Sequence, residues 1–134
     1  GLAAAMEVRA KLYLVKQVPA NSPVGYGATE FTSRDTVLGV VAMGYADGIP
    51  RVAKAAGIFF AGKRSPIIGR VSMDQFVVDL GPETRAKAGD YVVIFNNGAV
   101  GEFTAEDWGL ASSSINYEMT TRIGPRVPRI YPHE

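Results

Sequence analysis

Apolar and polar residues alternate through "VRAKLYLV": Val8, Ala10, Leu12 and Leu14 fall on one face, and Arg9, Lys11 and Tyr13 on the other. That is the period of a half-buried β-strand. The "PANSP" stretch at 19–23 breaks it. Beyond the break, "TVLGVVAMG" (36–44) is almost wholly apolar and rich in β-branched residues. "GIFFAG", the long run "SPIIGRVSMDQFVVDL" and, after the turn-rich "GPETRAKAGD", "DYVVIF" each read as a further strand. "NNG" at 96–98 marks a tight turn. Thr104 and Asp107 have the spacing of a capping box, which opens a helix through "AEDWGLASS". A second short helix covers "SSINYEMTT", and "RVPRIY" closes the chain as a strand that Pro128 confines to an edge.

Many short strands with Gly and Pro turns, and helices only near the end, predict an all-β chain folded as a Greek-key-like β-barrel with one or two short helices in its C-terminal part. There is no internal repeat, low-complexity tract or linker, so residues 1–134 are expected to form a single domain. That length suffices for a sizeable core without staples. The absence of cysteine removes disulfides, thiolate nucleophiles and cysteine zinc sites, and it points to an intracellular setting. Fourteen basic and 13 acidic residues leave a formal charge of +1, too balanced for the basic stripe of a nucleic-acid binder. No apolar run approaches membrane-spanning length, so the expectation is a soluble, cytoplasmic protein with no membrane partner. The chain opens on Gly1, so either Met6 is the true start or the chain is cut from a longer polypeptide.

The only histidine, His133, lies beside the C-terminus, which argues against a Ser-His-Asp or Cys-His machine. No cluster of histidines and carboxylates has the makings of a metal site, and no GxxxxGK[ST] or GxGxxG loop follows a strand. Tyrosine, arginine, lysine and carboxylate remain, and they gather in "VGYGATEF", "MGYADGIPR" and "IIGRVSMDQF". In each segment a glycine precedes the polar or aromatic residue at the end of an apolar run, as if strand ends delivered groups to one rim. Tyr26 sits between Gly25 and Gly27, which frees its backbone to present the ring. On composition alone Tyr26 and Tyr45 read as turn aromatics and Arg51 and Arg70 as solvated charges. Asp47, before Gly48, reads as a turn residue, and Met73 taken by itself reads as core.

Taken in order and at these separations, "VGYGATEF", "GYADGIPR", "GRVSMDQF", "INYE" and "RVPRIY" resemble the C-terminal domain of alanine racemase, from Met6 to Tyr131. The resemblance implies a two-domain enzyme whose N-terminal (β/α)8 barrel, absent from this chain, carries pyridoxal 5'-phosphate on a lysine. It further implies a homodimer in which the β domain of one subunit completes the active site on the barrel of the other. The enzyme would interconvert L- and D-alanine, supplying D-alanine for peptidoglycan. Tyr26 then matches the catalytic base on one face of the substrate, acting in trans, with the cofactor lysine on the opposite face. Met73 matches the position whose backbone N–H binds the substrate carboxylate, and Tyr45, Arg51, Arg70 and Asp74 match residues along the access corridor. Pro125 stands where some members place a tyrosine that touches the cofactor phosphate; a proline offers neither hydroxyl nor N–H. Related readings are an amino-acid decarboxylase of the same architecture, disfavoured by the absence of cysteine, and a racemase for serine or a basic amino acid. A reading from another class is a non-catalytic β-barrel dimerisation or binding module. The isolated chain is expected to be inactive.

Overall fold

A computed structural model describes residues 7–24, 30–49, 56–96, 98–104 and 106–108, together with the backbone of 129 and 130. The architecture is a nearly closed β-barrel, built around β1 (Glu7–Val18). The other strands are β2 (Pro23–Val24), β3 (Glu30–Phe31), β4 (Thr36–Val41), β5 (Gly57–Phe60), β6 (Lys63–Pro66), β7 (Phe76–Asp79), β8 (Tyr91–Phe95) and β9 (Arg129–Ile130). The main sheet runs β6-β5-β8-β1-β4-β7, with β9 also paired to β1, and every pairing is antiparallel. Only β5 and β6 are sequence neighbours along that path, so the chain crosses between strands instead of meandering. The two ends of the path approach each other where Ile67, just past β6, bridges Val78 in β7. Closure of this kind covers the unpaired edges an open sheet would leave.

β1 follows the predicted alternation only in its first half. Val8, Ala10 and Leu12 are buried and Arg9, Lys11 and Tyr13 exposed, but Leu14, expected on the buried face, is 47% exposed. The register against β4 explains the slip: Leu12 faces Val41 and Leu14 faces the next residue, Val40, so Tyr13 is an extra residue in a bulge. A bulge shifts the side-chain phase by one, and Val15 replaces Leu14 against the core. The strand also runs farther than expected, through Lys16, Gln17 and Val18 opposite β4.

The predicted single strand through "SPIIGRVSMDQFVVDL" is instead two strands, β6 and β7, joined by a loop. β6 pairs with β5, Ile67 just past it bridges Val78 in β7, Ile68 N–H donates to the Val77 carbonyl at 2.9 Å, and the residues between form a loop. Turn chemistry overrides the β-prone composition here, because the Ser72 N–H and hydroxyl both donate to the Gln75 carbonyl, each at 2.9 Å. The capping box forms as expected: Thr104 N–H donates to Asp107 Oδ2 at 2.9 Å, Asp107 N–H donates to Thr104 Oγ1 at 3.0 Å, and 106–108 form a helical turn. The second helix, and all of "RVPRIY" except the two β9 residues, lie outside the described residues. So does Asn97 of the "NNG" turn, although the Gly101 N–H to Gly98 carbonyl bond closes a turn immediately after it.

The barrel interior is filled by Val8, Leu12, Val41, Ile58, Phe76, Val78, Val92 and Ile94. Trp108 seals one side. It is fully buried, its indole N–H donates to the Ile94 carbonyl at 2.8 Å, and its ring meets Phe76 edge-on at 6.2 Å. No helix among the described residues is long and apolar enough to cross a membrane.

Candidate functional site

Two of the three glycine-led segments meet at the chain level. After β4 the chain enters a 3₁₀ turn over Tyr45–Asp47, whose end is set by Gly48 at φ 104°, a left-handed conformation suited to glycine. Asp47 is 3% exposed, and its Oδ2 accepts the Gly44 N–H at 3.0 Å, so the predicted turn residue is a buried carboxylate that closes its own turn. The backbone of this turn is joined to the β6–β7 loop. Tyr45 N–H donates to the Ser72 carbonyl and Ala46 N–H to the Met73 carbonyl, both at 3.0 Å. The approach is close enough to require glycine: a Cβ on Gly44 would lie 2.3 Å from the Ser72 oxygen and 2.5 Å from the Met73 carbonyl carbon and oxygen.

Tyr45 is half-buried and packs against the core, whereas Met73 is 52% exposed and Asp74 is exposed beside it. Met73 is therefore not a core methionine. Arg70 is exposed on the same loop. The structure thus brings Tyr45 to the loop that carries Arg70, Met73 and Asp74. Tyr26 and Arg51 lie outside the described residues. The chain on either side of 25–29 is drawn together, because β2 and β3 pair antiparallel, Val24 opposite Glu30 and Pro23 opposite Phe31.

Residues not singled out from the sequence hold this arrangement. Ser72 and Gln75 close the loop, and the Tyr13 hydroxyl, exposed by the bulge in β1, donates to Gln75 Oε1. The signal for Ser72 was present in "SMDQ", since Ser followed by Asp and Gln is turn-forming. The signal for Tyr13 was not, because it depends on the bulge.

A pyridoxal phosphate group needs an amine for its aldehyde and a nest of N–H groups or cations for its phosphate. The described residues show no such combination: of their four lysines, Lys16 and Lys87 are exposed and Lys63 and Lys11 are engaged elsewhere. Lys63 Nζ is engaged at the Leu80 carbonyl at 3.4 Å, and Lys11 lies over the Tyr91 ring at 5.8 Å. Among the described residues no group of carboxylates and histidines could hold a metal ion.

Residues 5–131 match the family described as alanine racemase, C-terminal domain. The chain belongs to that family. An alanine racemase from Beutenbergia cavernae is 53% identical over 132 residues, 98% of this chain and 35% of the relative. The crystal structure of alanine racemase from D-cycloserine-producing Streptomyces lavendulae superposes with a TM-score of 0.92 at 51% identity, over 100% of this chain and 35% of that one. The alanine racemase from Bacillus anthracis with bound L-Ala-P gives 0.80 at 29% identity, over 93% of this chain and 35% of that one. The chain spans about a third of the length of the alanine racemases it matches. The family match therefore extends over residues 5–131, in line with the resemblance read from the sequence.

Proposed function

We propose that residues 1–134 act as the C-terminal β-barrel domain of a cytoplasmic, homodimeric alanine racemase that interconverts L- and D-alanine, with Tyr26 as a base supplied to the partner subunit. The observation that carries the reading is the backbone junction of the 44–47 turn with Ser72 and Met73, which gathers Tyr45, Arg70, Met73 and Asp74 at one end of a barrel of this family. Pyridoxal phosphate, held by residues outside this chain, would supply the electron sink for a carbanion at the substrate Cα.

The chain's own contribution is proton transfer and orientation. Racemisation needs a proton taken from one side of Cα and returned on the other, and two opposed bases do this where a single base is badly placed. Tyr26 is the base on one side. A phenol of ordinary pKa near 10 is a weak base at neutral pH, so its phenolate must be favoured by nearby cations or donors. The Met73 N–H, which has no hydrogen-bond partner among the described residues, donates to the substrate carboxylate. Tyr45, Arg51, Arg70 and Asp74 line the corridor, where a phenol and guanidinium groups favour a small amino acid with a free carboxylate.

The test is Tyr26→Phe in the full-length enzyme. The ring stays and the hydroxyl goes, so folding, dimerisation and cofactor loading persist while racemisation falls by about 10²- to 10⁴-fold, the usual worth of a positioned base. The loss is lopsided. Exchange of the α-proton with solvent deuterium survives better from D-alanine, which uses the opposite base, than from L-alanine. Equal loss from both enantiomers would replace the base role with a general defect, and near-normal racemisation would remove Tyr26 from the mechanism.

A further inference from the structure

We propose that the 44–47 turn, anchored by Asp47, is a positioning element that aims the Met73 amide at the substrate carboxylate. The proposal rests on the racemase reading above and deepens it by naming what holds the carboxylate-binding donor in place.

The Met73 N–H belongs to the Ser72–Met73 peptide unit, which is planar, so its direction is opposite to that of the Ser72 carbonyl. That carbonyl accepts the Tyr45 N–H at 3.0 Å. The next peptide unit is held likewise, because the Met73 carbonyl accepts the Ala46 N–H at 3.0 Å. Both planes flanking Met73 are thus fixed by consecutive donors from one turn. A carbonyl engaged in this way also polarises its peptide and strengthens the N–H on the far side.

The turn itself is held by a side chain with no role in the proton transfer. Carboxylates are rarely so fully buried unless their oxygens are used, and Asp47 is 3% exposed with Oδ2 on the Gly44 N–H at 3.0 Å. That bond, with Asp47 N–H to the Gly44 carbonyl at 2.9 Å, fixes the strand-to-turn junction from which the Tyr45 and Ala46 donors project. From the other side, Ser72 and Tyr13 hold Gln75 and with it the far end of the loop. A Cβ on Gly44 would have to push the Ser72–Met73 peptide away from a distance of 2.3 Å, which turns the amide before it disturbs the barrel strands.

Gly44→Ala, Asp47→Ala and Asp47→Asn in the full-length enzyme test the assignment, with propionate as a probe carrying the carboxylate without the amine. A misaimed hydrogen bond to a carboxylate weakens its binding by about tenfold. Gly44→Ala and Asp47→Ala should raise KM for alanine and the propionate inhibition constant by about that factor. The carboxylate is bound alike before and during reaction, so kcat should stay within about twofold. Asp47→Asn keeps an oxygen for the Gly44 N–H and should restore KM. If Gly44→Ala or Asp47→Ala does not yield folded dimer, Tyr13→Phe, which frees the Gln75 side chain, should raise KM about threefold at constant kcat. The proposal is overturned if folded Asp47→Ala or Tyr13→Phe enzyme keeps the wild-type KM and propionate inhibition, or loses kcat and thermal stability in proportion to KM. A wild-type enzyme that does not racemise alanine would instead defeat the racemase reading itself.

Discussion

Replacing Trp108 by phenylalanine tests what the indole contributes to the seal of the barrel. The indole is fully buried, donates to the Ile94 carbonyl at 2.8 Å and meets Phe76 edge-on at 6.2 Å. Phenylalanine retains an aromatic partner for Phe76 but leaves the Ile94 carbonyl without that donor, which costs about 1–3 kcal/mol in a buried setting. The smaller ring leaves a void worth about 1 kcal/mol more, for a total of about 2–4 kcal/mol. An unfolding entropy of about 2.1 cal/mol/K per residue over 134 residues gives about 0.28 kcal/mol/K. The melting temperature of the chain should therefore fall by about 7–14 °C, taking ΔΔG over that entropy. Trp108 is the sole tryptophan, so the transition is followed by circular dichroism of the β signal. A drop below about 3 °C, under 1 kcal/mol on the same conversion, would mean that the indole bond and its packing do not hold the 106–108 turn to the barrel.

The bulge in β1 makes Leu12 and Leu14 energetically unlike: Leu12→Ala should destabilise by about 2–5 kcal/mol in urea titration, and Leu14→Lys should stay within about 0.5 kcal/mol. Equal losses at the two positions would restore the unbroken alternation. The isolated 134-residue chain should unfold cooperatively yet neither racemise alanine nor form a borohydride-trappable bond with pyridoxal phosphate, because the cofactor lysine is expected outside this chain and its own lysines lie outside the matching motifs. Turnover, or a labelled lysine found by peptide mapping, would refute that expectation.

What could be read from the sequence was local, and what could not depended on a distant partner. The Thr104–Asp107 box is written in two residues of one turn, and the alternation of Val8, Ala10 and Leu12 in one stretch of strand. The bulge at Tyr13 is a property of the register between β1 and β4, which no window of β1 contains. The "IIGRVSMDQF" loop misled because Ile67, Ile68 and Val71 are strand formers by composition, while Ser72 and Gln75 impose a turn. Asp47 was legible as a turn residue but not as a buried one, since burial depends on the folded surroundings of the turn and not on the Asp-Gly pair itself. The order of the five motifs carried the family where no single residue did.

Of these strands, β1 is laid down first and completed last. Its neighbours in the sheet are β4 and β8, and its opening residues Glu7 and Val8 pair with Ile130 and Arg129, almost the whole chain away. One edge of β1 can pair with β4 once residue 41 is present, but its other edge waits for β8 at 91–95 and β9 at 129–130. Such non-local wiring places the chain among slow folders, on the millisecond-to-second scale. During synthesis β1 emerges with an edge it cannot yet satisfy, a surface on which chaperones or a second unfinished chain can act before β8 and β9 arrive.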